Sequence, residues 1–390
     1  MNTKSNPYVI GGILALIIAM GIGRFSYTVI LPFMQDAFSF SNLTAGFLAT
    51  CNYLGYFFGA LLASKITTKC HKVRLLRIGL VISIMTTAMI GIFPSYPIWY
   101  MARFLSGVAS AYIFVLISSI VLDRLAYENR LHLSGLFYSG VGLGIILSSL
   151  VVSKLNKLFQ WNGTWIGLAL LCSGLFIIIW FFIREDANPK PSSSHLPLQH
   201  TSAPPSSWII WLVISYGLEG LGYIVTGTFI VSIAESSAHF QGDATTVWLI
   251  VGISASPSCI IWTYLGEKIG FIKSLMIAML LQAIGIVLPI FEEKAGLLFI
   301  SAFLFGVTFM GITTLVTTLA KQMSPINSHR LLGYLTASYA LGQLLGPSLA
   351  GMLATMTNSF HYALVGATLT VLFGASLLFG GLKYEKKSLQ

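Results

Sequence analysis

The sequence predicts an all-α integral membrane protein, with twelve transmembrane helices arranged as two pseudo-symmetric six-helix bundles. Three observations carry this expectation. Only 9% of the 390 residues are charged, against roughly a quarter in soluble domains, while 56% are hydrophobic, too many to enclose in water-soluble cores of this size. Apolar runs of membrane length recur along the whole chain. Motifs of the first half return in the second at a nearly constant offset.

Runs broken by charge, Pro or Asn place the first six spans at 8–34, 43–64, 75–94, 97–122, 132–153 and 161–183, and the second six at 207–234, 245–266, 271–290, 296–320, 331–354 and 360–382. At about 20 residues each, twelve spans use roughly 240 residues, which the chain accommodates. The first run contains Arg24 and is too long for a secretory signal, so it is expected to stay as a helix. Residues 185–206 hold five of the thirteen prolines and few apolar side chains. Such a segment buries too little surface to offset its ordering entropy, so it is expected to be a flexible cytoplasmic linker between domains 1–184 and 207–390.

Basic residues gather on alternate connections, as in Lys65, Lys69, Lys72, Arg74 and Arg77, whereas the opposite connections carry only Lys154, Lys157 and Lys294. Lys and Arg are held on the cytoplasmic side. The expectation is a multi-pass protein of a bacterial inner membrane, monomeric, with both termini cytoplasmic. The net charge of +10 therefore belongs to orientation in the bilayer and predicts no nucleic-acid partner.

The composition also argues against other classes. The seven histidines are scattered in loops or at helix ends with no His-Glu-x-x-His arrangement, and Cys51, Cys70, Cys172 and Cys259 form no CxxC pair. An intramembrane enzyme, the competitor from a different class, would need such a cluster. No metal site and no cofactor are expected. A P-loop is lacking, as is a selectivity-filter run, so transport would draw on an ion gradient or on the cargo's own gradient.

The two halves match at three places. Arg-Phe-Leu-Ser-Gly-Val from Arg103 to Val108 corresponds to Ala-Phe-Leu-Phe-Gly-Val from Ala302 to Val307; Gly135 and Gly144 correspond to Gly333 and Gly342; Gly21 and Tyr27 correspond to Gly217 and Tyr223. A shift of six spans preserves helix direction, so the repeat is parallel, the kind whose two bundles are related by an axis along the membrane normal.

With these features the chain resembles the major facilitator superfamily of secondary transporters. That family's loop motif after the second helix is present from Gly59 through Leu61 and Ala63 to the basic cluster, with Ala63 where the family has an acid. The second-half counterpart, Leu265 to Gly270, keeps acid, base and glycine as Glu267, Lys268 and Gly270. The resemblance implies a cytoplasmic gate latched by Gly59, Glu267, Lys268 and Gly270. Arg103 and Gly107 match the family's fourth-helix Arg-x-x-x-Gly pattern, whose arginine is associated there with substrate or proton coupling. More narrowly, the stretches Gly21 to Tyr27, Leu31 to Pro32 and Asn52 to Tyr56 are similar to the bacterial YbfB/YjiJ group. The fifth-helix glycine row lacks the proline of the family's antiporter motif, which leaves import and export both open.

Three ionisable groups lie well inside spans: Arg24, Arg103 and Glu219. A charge at that depth costs from about 3 to more than 10 kcal/mol unless it is paired or faces a cavity. Counting 1.5 Å per residue puts both arginines roughly 5–10 Å to one side of the midplane, where they could face one anion. Guanidinium forks suit carboxylate or phosphate. On a regular helix Arg24, Tyr27 and Thr28 share a face. Glu219, flanked by Tyr216 and Tyr223, is the one acid deep in a span; desolvation favours its neutral form and a nearby guanidinium its charged form, the competition that a proton-coupled carrier exploits. Asn52, Tyr53 and Tyr56 on the second span, Tyr112 on the fourth, Tyr138 on the fifth, and Tyr339 and Gln343 on the eleventh are further candidates to line a cavity. Structural roles stand beside these: an arginine capping helix carbonyls, or a permanent Arg24–Glu219 pair.

The functional expectation is a secondary active transporter working by alternating access. It would move a small organic anion, such as a carboxylate or carboxylate-type metal chelate, with protons as the coupling ion. Substrate-binding candidates are Arg24, Tyr27, Asn52, Tyr56, Arg103, Tyr223 and Tyr339, with Glu219 as the proton carrier. Proton-driven efflux of cationic or amphipathic compounds is the alternative.

Overall fold

The computed structural model describes residues 6–64, 72–130, 133–184, 208–237, 239–291, 295–323 and 328–385, and among them every regular element is helical. The expected linker 185–206 and the basic residues Lys65 and Lys69 lie outside the described residues.

Chain order gives α1 (Asn6–Leu16), a π-helical turn (Ile17–Ile22), α2 (Ser26–Phe38), α3 (Asn42–Ser64), α4 (Lys72–Ile92), α5 (Tyr96–Tyr127), α6 (Ser134–Tyr138) and α7 (Gly140–Phe182). After these come α8 (Ile209–Ser236), α9 (Thr245–Ile269), α10 (Phe271–Val287), α11 (Ala295–Met323), α12 (Ser328–Thr357), α13 (His361–Leu377) and a final turn, α14 (Leu382–Glu385). Among the described residues ten stretches are long and apolar enough to cross a membrane. One of them, Ser134–Phe182, has 49 residues and is divided by Gln160, whose φ of 58° breaks the helix. With that division, and with the 30-residue α12, the described residues provide twelve spans.

Several boundaries differ from the sequence reading. The fifth span was expected to end at 153 with a short connection to 161, yet helix continues through Lys154 and Lys157 to Gln160. Lysine is a good helix former, and its charge ends burial without ending the helix. Helices α5 and α11 also run past their apolar stretches, to Tyr127 and Met323. The first span is interrupted: Gly23 N–H bonds Ile18 O at 2.8 Å and Phe25 N–H bonds Met20 O at 3.0 Å, five residues back instead of four. One extra residue is absorbed there.

The helices form two compact units. The first comprises Met1–Phe40, Cys51–Ser194 and Asp243–Ser256; the second comprises Ser41–Thr50, His195–Gly242 and Pro257–Gln390. Within the first, a Cβ on Gly21 would sit 2.3 Å from Gly144 Cα, so the π-helical turn and α7 meet backbone to backbone. Phe38, Phe40, Tyr96, Trp99 and Trp161 cluster edge to face, an interfacial grouping that suits amphipathic rings. At the head of α9, Asp243 accepts hydrogen bonds from Thr245 N (3.0 Å) and Thr245 Oγ1 (2.7 Å) and from the Ser153 hydroxyl.

Within the second unit, the first turns of α3 rest on α12. A Cβ on Gly46 would lie 2.3 Å from Pro347 O, Thr50 Oγ1 donates to Leu344 O at 3.0 Å, and Leu43 N donates to Thr355 Oγ1 at 3.0 Å. The carbonyl of Leu344 lies within a turn of Pro347, in a stretch of α12 where the proline ring disrupts the ladder. Small residues and side chain to backbone bonds are how helices hold together where lipid offers no hydrophobic drive.

Candidate functional site

In the first unit, the break after the π-helical turn positions Arg24. Its side chain is buried, 4% exposed, and its guanidinium carbon lies 4.2 Å from the ring centre of Tyr56, 4.9 Å from Tyr53 and 5.2 Å from Phe25. Tyr53 and Tyr56 come from α3, so two helices build this cage. Desolvated cation–π contacts are worth about 2 kcal/mol or more, which offsets part of the burial cost.

Arg103 on α5 is 2% exposed and lies over Tyr27, 4.4 Å from its centre. Its Nη1 reaches Gly23 O at 3.5 Å, and Ser106 Oγ donates to the same carbonyl at 2.7 Å. Interrupting the helix leaves the Gly23 carbonyl open to these two α5 side chains. Asn52, fully buried, donates from Nδ2 to Arg103 O at 2.9 Å. The helices approach this closely because α5 carries Gly107, where a Cβ would lie 2.0 Å from Asn52 O. Arg24 and Arg103 are near enough to act on one another electrostatically, and Tyr27 and Tyr53 both act on Arg103. The sequence-derived residues Arg24, Tyr27, Asn52, Tyr53, Tyr56 and Arg103 are thus one cluster, to which the structure adds Phe25 and Ser106.

In the second unit, Glu219 on α8 is 0% exposed. Neither of its carboxylate oxygens makes a well-formed hydrogen bond among the described residues. The side chain of Gln282 on α10 lies close enough to interact with it, and Tyr339 is near enough to feel its charge. Beside it runs a stack of nearly parallel rings. Tyr216 and Tyr339 lie 4.3 Å apart at 14°, Tyr339 and Tyr223 5.5 Å apart at 11°, and Tyr223 and Phe309 6.3 Å apart at 6°. Phe305 completes it, 5.4 Å from Phe309 at 8°. Gln343 Nε2 donates to Tyr223 Oη, and Tyr216 Oη pairs with Thr313 Oγ1 at 3.3 Å. Gln282, Phe305 and Phe309 were missed in the sequence. Gln282 carried a visible signal as the one amide inside the apolar run of α10, whereas the two phenylalanines looked like any others in a span.

The residues expected at a gate belong to both units. A Cβ on Gly59 would lie 2.4 Å from Val108 O, so Gly59 serves the α3–α5 contact. Glu267 and Lys268 are exposed at the end of α9, with Lys268 Nζ 5.9 Å from the Tyr264 ring. Gly270 is buried at φ 100°, a conformation that residues with a Cβ rarely adopt. Lys72, in the first-half basic cluster, pairs with Asp123 at 3.4 Å. Among the described residues no group of three or more His, Cys, Asp or Glu is placed to hold a metal ion.

Comparison with known proteins agrees with this architecture. The family described as "Uncharacterised MFS-type transporter YbfB" matches residues 16–379. The MFS-type transporter YceJ of Bacillus subtilis (strain 168) is 23% identical over 374 residues, covering 93% of each chain. YwfA of the same organism is 25% identical over 396 residues, covering 96% of this chain and 93% of its own. Among solved structures, the nucleoside transporter NupG superposes with a TM-score of 0.72 at 15% identity, over 98% of this chain and 99% of that one. A bacterial homologue of the human lysosomal transporter Spinster gives 0.74 at 14% identity, over 100% and 99%. At those identities the likeness speaks for the fold.

Proposed function

The chain belongs to the YbfB-type family of major facilitator superfamily transporters, and from that premise we propose that it carries a small organic anion, a carboxylate or carboxylate-bearing metal chelate, with proton coupling. It is a multi-pass membrane transporter and not an enzyme. The observation that supports an anionic cargo is the pair Arg24 and Arg103: two buried guanidiniums within electrostatic reach of each other, each over a tyrosine ring. Like charges at low dielectric repel, and an anion accepting from both forks relieves that repulsion.

In this reading Tyr27, Asn52 and Tyr56 shape the anion subsite, and Glu219 carries the proton, with Tyr223 and Tyr339 beside it. Protonation removes a charge that burial penalises, and so changes which state of the carrier is favoured. Alternating access would arise from rocking of residues 1–184 against 207–390, with Gly59, Glu267, Lys268 and Gly270 at the gate. The basic-residue bias supports placing it in a bacterial inner membrane with both termini in the cytoplasm, working as a monomer.

One observation favours a second reading. The ring stack of Tyr216, Tyr339, Tyr223, Phe309 and Phe305 next to Glu219 is chemistry that suits an amphipathic cation, expelled by proton exchange.

Thermal unfolding of purified protein against a panel of small carboxylates and tetraphenylphosphonium separates the two. A carboxylate is expected to raise the midpoint of the parent protein and to lose that effect in Arg24→Gln and Arg103→Lys. If no carboxylate does so, or both variants respond like the parent, the anion reading fails. Stabilisation by tetraphenylphosphonium that vanishes in Glu219→Gln would put the second reading in its place. Transport in proteoliposomes that ignores an imposed pH gradient would remove the coupling.

A further inference from the structure

A groove of about 600 Å³ runs along the first unit between the start of α4 and the end of α7. Its α4 wall is a single stripe, Arg74, Arg77, Ile78, Val81 and Ile82, the i, i+3, i+4, i+7, i+8 spacing of one helix face. The stripe is basic at one end and apolar along the rest. Phe176, Trp180 and Arg184 form the opposite wall. Among the described residues no acidic side chain lines it, and its apolar side chains are open: Ile78 is 48% exposed and Trp180 47%.

Two of the three arginines are held in place. Arg77 stacks on Trp180, 3.7 Å from the ring centre, and its Nη2 donates to Trp180 O and Ile183 O, both at 3.1 Å. Its Nε is a buried donor with no hydrogen-bond partner among the described residues. Arg184 Nε donates to Phe181 O at 3.1 Å, and its own carbonyl accepts from Tyr8 Oη at 3.3 Å. Arg74 is exposed at the mouth.

We propose that this groove is a binding site for one anionic phospholipid of the surrounding leaflet. The phosphate sits among Arg74, Arg77 and Arg184, and an acyl chain lies along Ile78, Val81, Ile82 and Phe176. Arginine forks match phosphate oxygens, and basic pockets between membrane helices select anionic headgroups. A zwitterionic headgroup would bring an ammonium up to the three cations Arg74, Arg77 and Arg184. A free phosphate would leave the apolar length of the groove unused.

The test is native mass spectrometry of delipidated protein titrated with phosphatidylglycerol, with phosphatidylethanolamine of the same chains, and with inorganic phosphate. Phosphatidylglycerol is expected to bind at one copy per chain and about tenfold more tightly than phosphatidylethanolamine, and Arg74→Gln/Arg184→Gln to weaken it by about tenfold or more. A matched loss of charge elsewhere, Lys268→Gln/Lys321→Gln, should leave binding unchanged. Val81→Trp, which fills the apolar length and spares every arginine, should also weaken it. Arg77 is left intact because it holds two carbonyls of α7. Equal binding of the two lipids, unchanged binding in the arginine pair, or displacement of phosphatidylglycerol by equimolar inorganic phosphate would each overturn the proposal.

Discussion

The guanidinium of Arg103 lies 4.4 Å from the centre of the Tyr27 ring, so a cation of α5 is carried on an aromatic face of α2. The contact joins two helices across the interrupted first span and supplies part of what ionised Arg103 loses on leaving water. Replacing Tyr27 by Phe keeps the face and should leave stability nearly unchanged. Tyr27→Leu should lower it by about 2 kcal/mol, read as a fall in unfolding midpoint in detergent. Equal effects of the two substitutions would mean that the ring face is not what stabilises Arg103.

The approach of α3 to α5 at Gly107 gives a steric prediction. A methyl there would meet the Asn52 carbonyl at 2.0 Å, and backbone cannot yield as a flexible side chain can. Gly107→Ala should cost about 1–3 kcal/mol and loosen the Asn52–Arg103 hydrogen bond. Gly174, with open space around its Cα, is the control, and Gly174→Ala should be neutral or slightly stabilising by melting temperature.

Gly270 tests a backbone effect separately from packing. Its φ of 100° is where a side chain is strained whatever the room available, so Gly270→Ala should cost about 1–3 kcal/mol. Glu267→Gln and Lys268→Gln, on exposed neighbours, should change stability by less than about 0.5 kcal/mol. Limited proteolysis near the α9–α10 turn reports both.

Asp243 makes a pH prediction. Partial burial raises its carboxyl, but hydrogen bonds from Ser153 and Thr245 and the nearby Lys157 charge outweigh that, leaving it below its ordinary value of 3.8. A depressed carboxyl contributes stability that is fully present above the unfolded value and is lost as pH falls through the folded one. The unfolding midpoint should therefore drop between about pH 5 and pH 3, and by less in Asp243→Ala. An identical drop in both proteins would assign the acid sensitivity to other groups.

Much of the architecture was legible because the bilayer imposes it. A lipid-facing helix must be apolar over its length, so spans stand out, and a charge such as Arg24, Arg103 or Glu219 stands out within them. The arrangement of these groups was less legible. On a regular helix Arg24, Tyr27 and Thr28 share a face, whereas in the structure Arg24 lies on Tyr56 and Tyr27 lies under Arg103, because residues 23–25 leave the helix and it restarts only at Ser26. Gln282 gains meaning only from its proximity to Glu219, two helices apart in sequence. The internal repeat is informative here too. Ser106 and Phe305 occupy matching positions in the two halves, yet Ser106 bonds the Gly23 carbonyl while Phe305 stacks beside Tyr223. A backbone pattern was duplicated and its chemistry was not.

The π-helical turn at Ile17–Ile22 acts as a phase shifter. Each residue advances a helix by about 100°, so the surplus one sets the wheel of Asn6–Leu16 out of step with that of Ser26–Phe38. Deleting a single isoleucine from the turn would shorten the chain hardly at all, yet it would rotate one segment against the other and swing Arg24 off its tyrosines. Insertions and deletions should therefore be far less tolerated in these six residues than length alone suggests, and alignments that ignore the surplus residue will pair the wrong faces of the first helix.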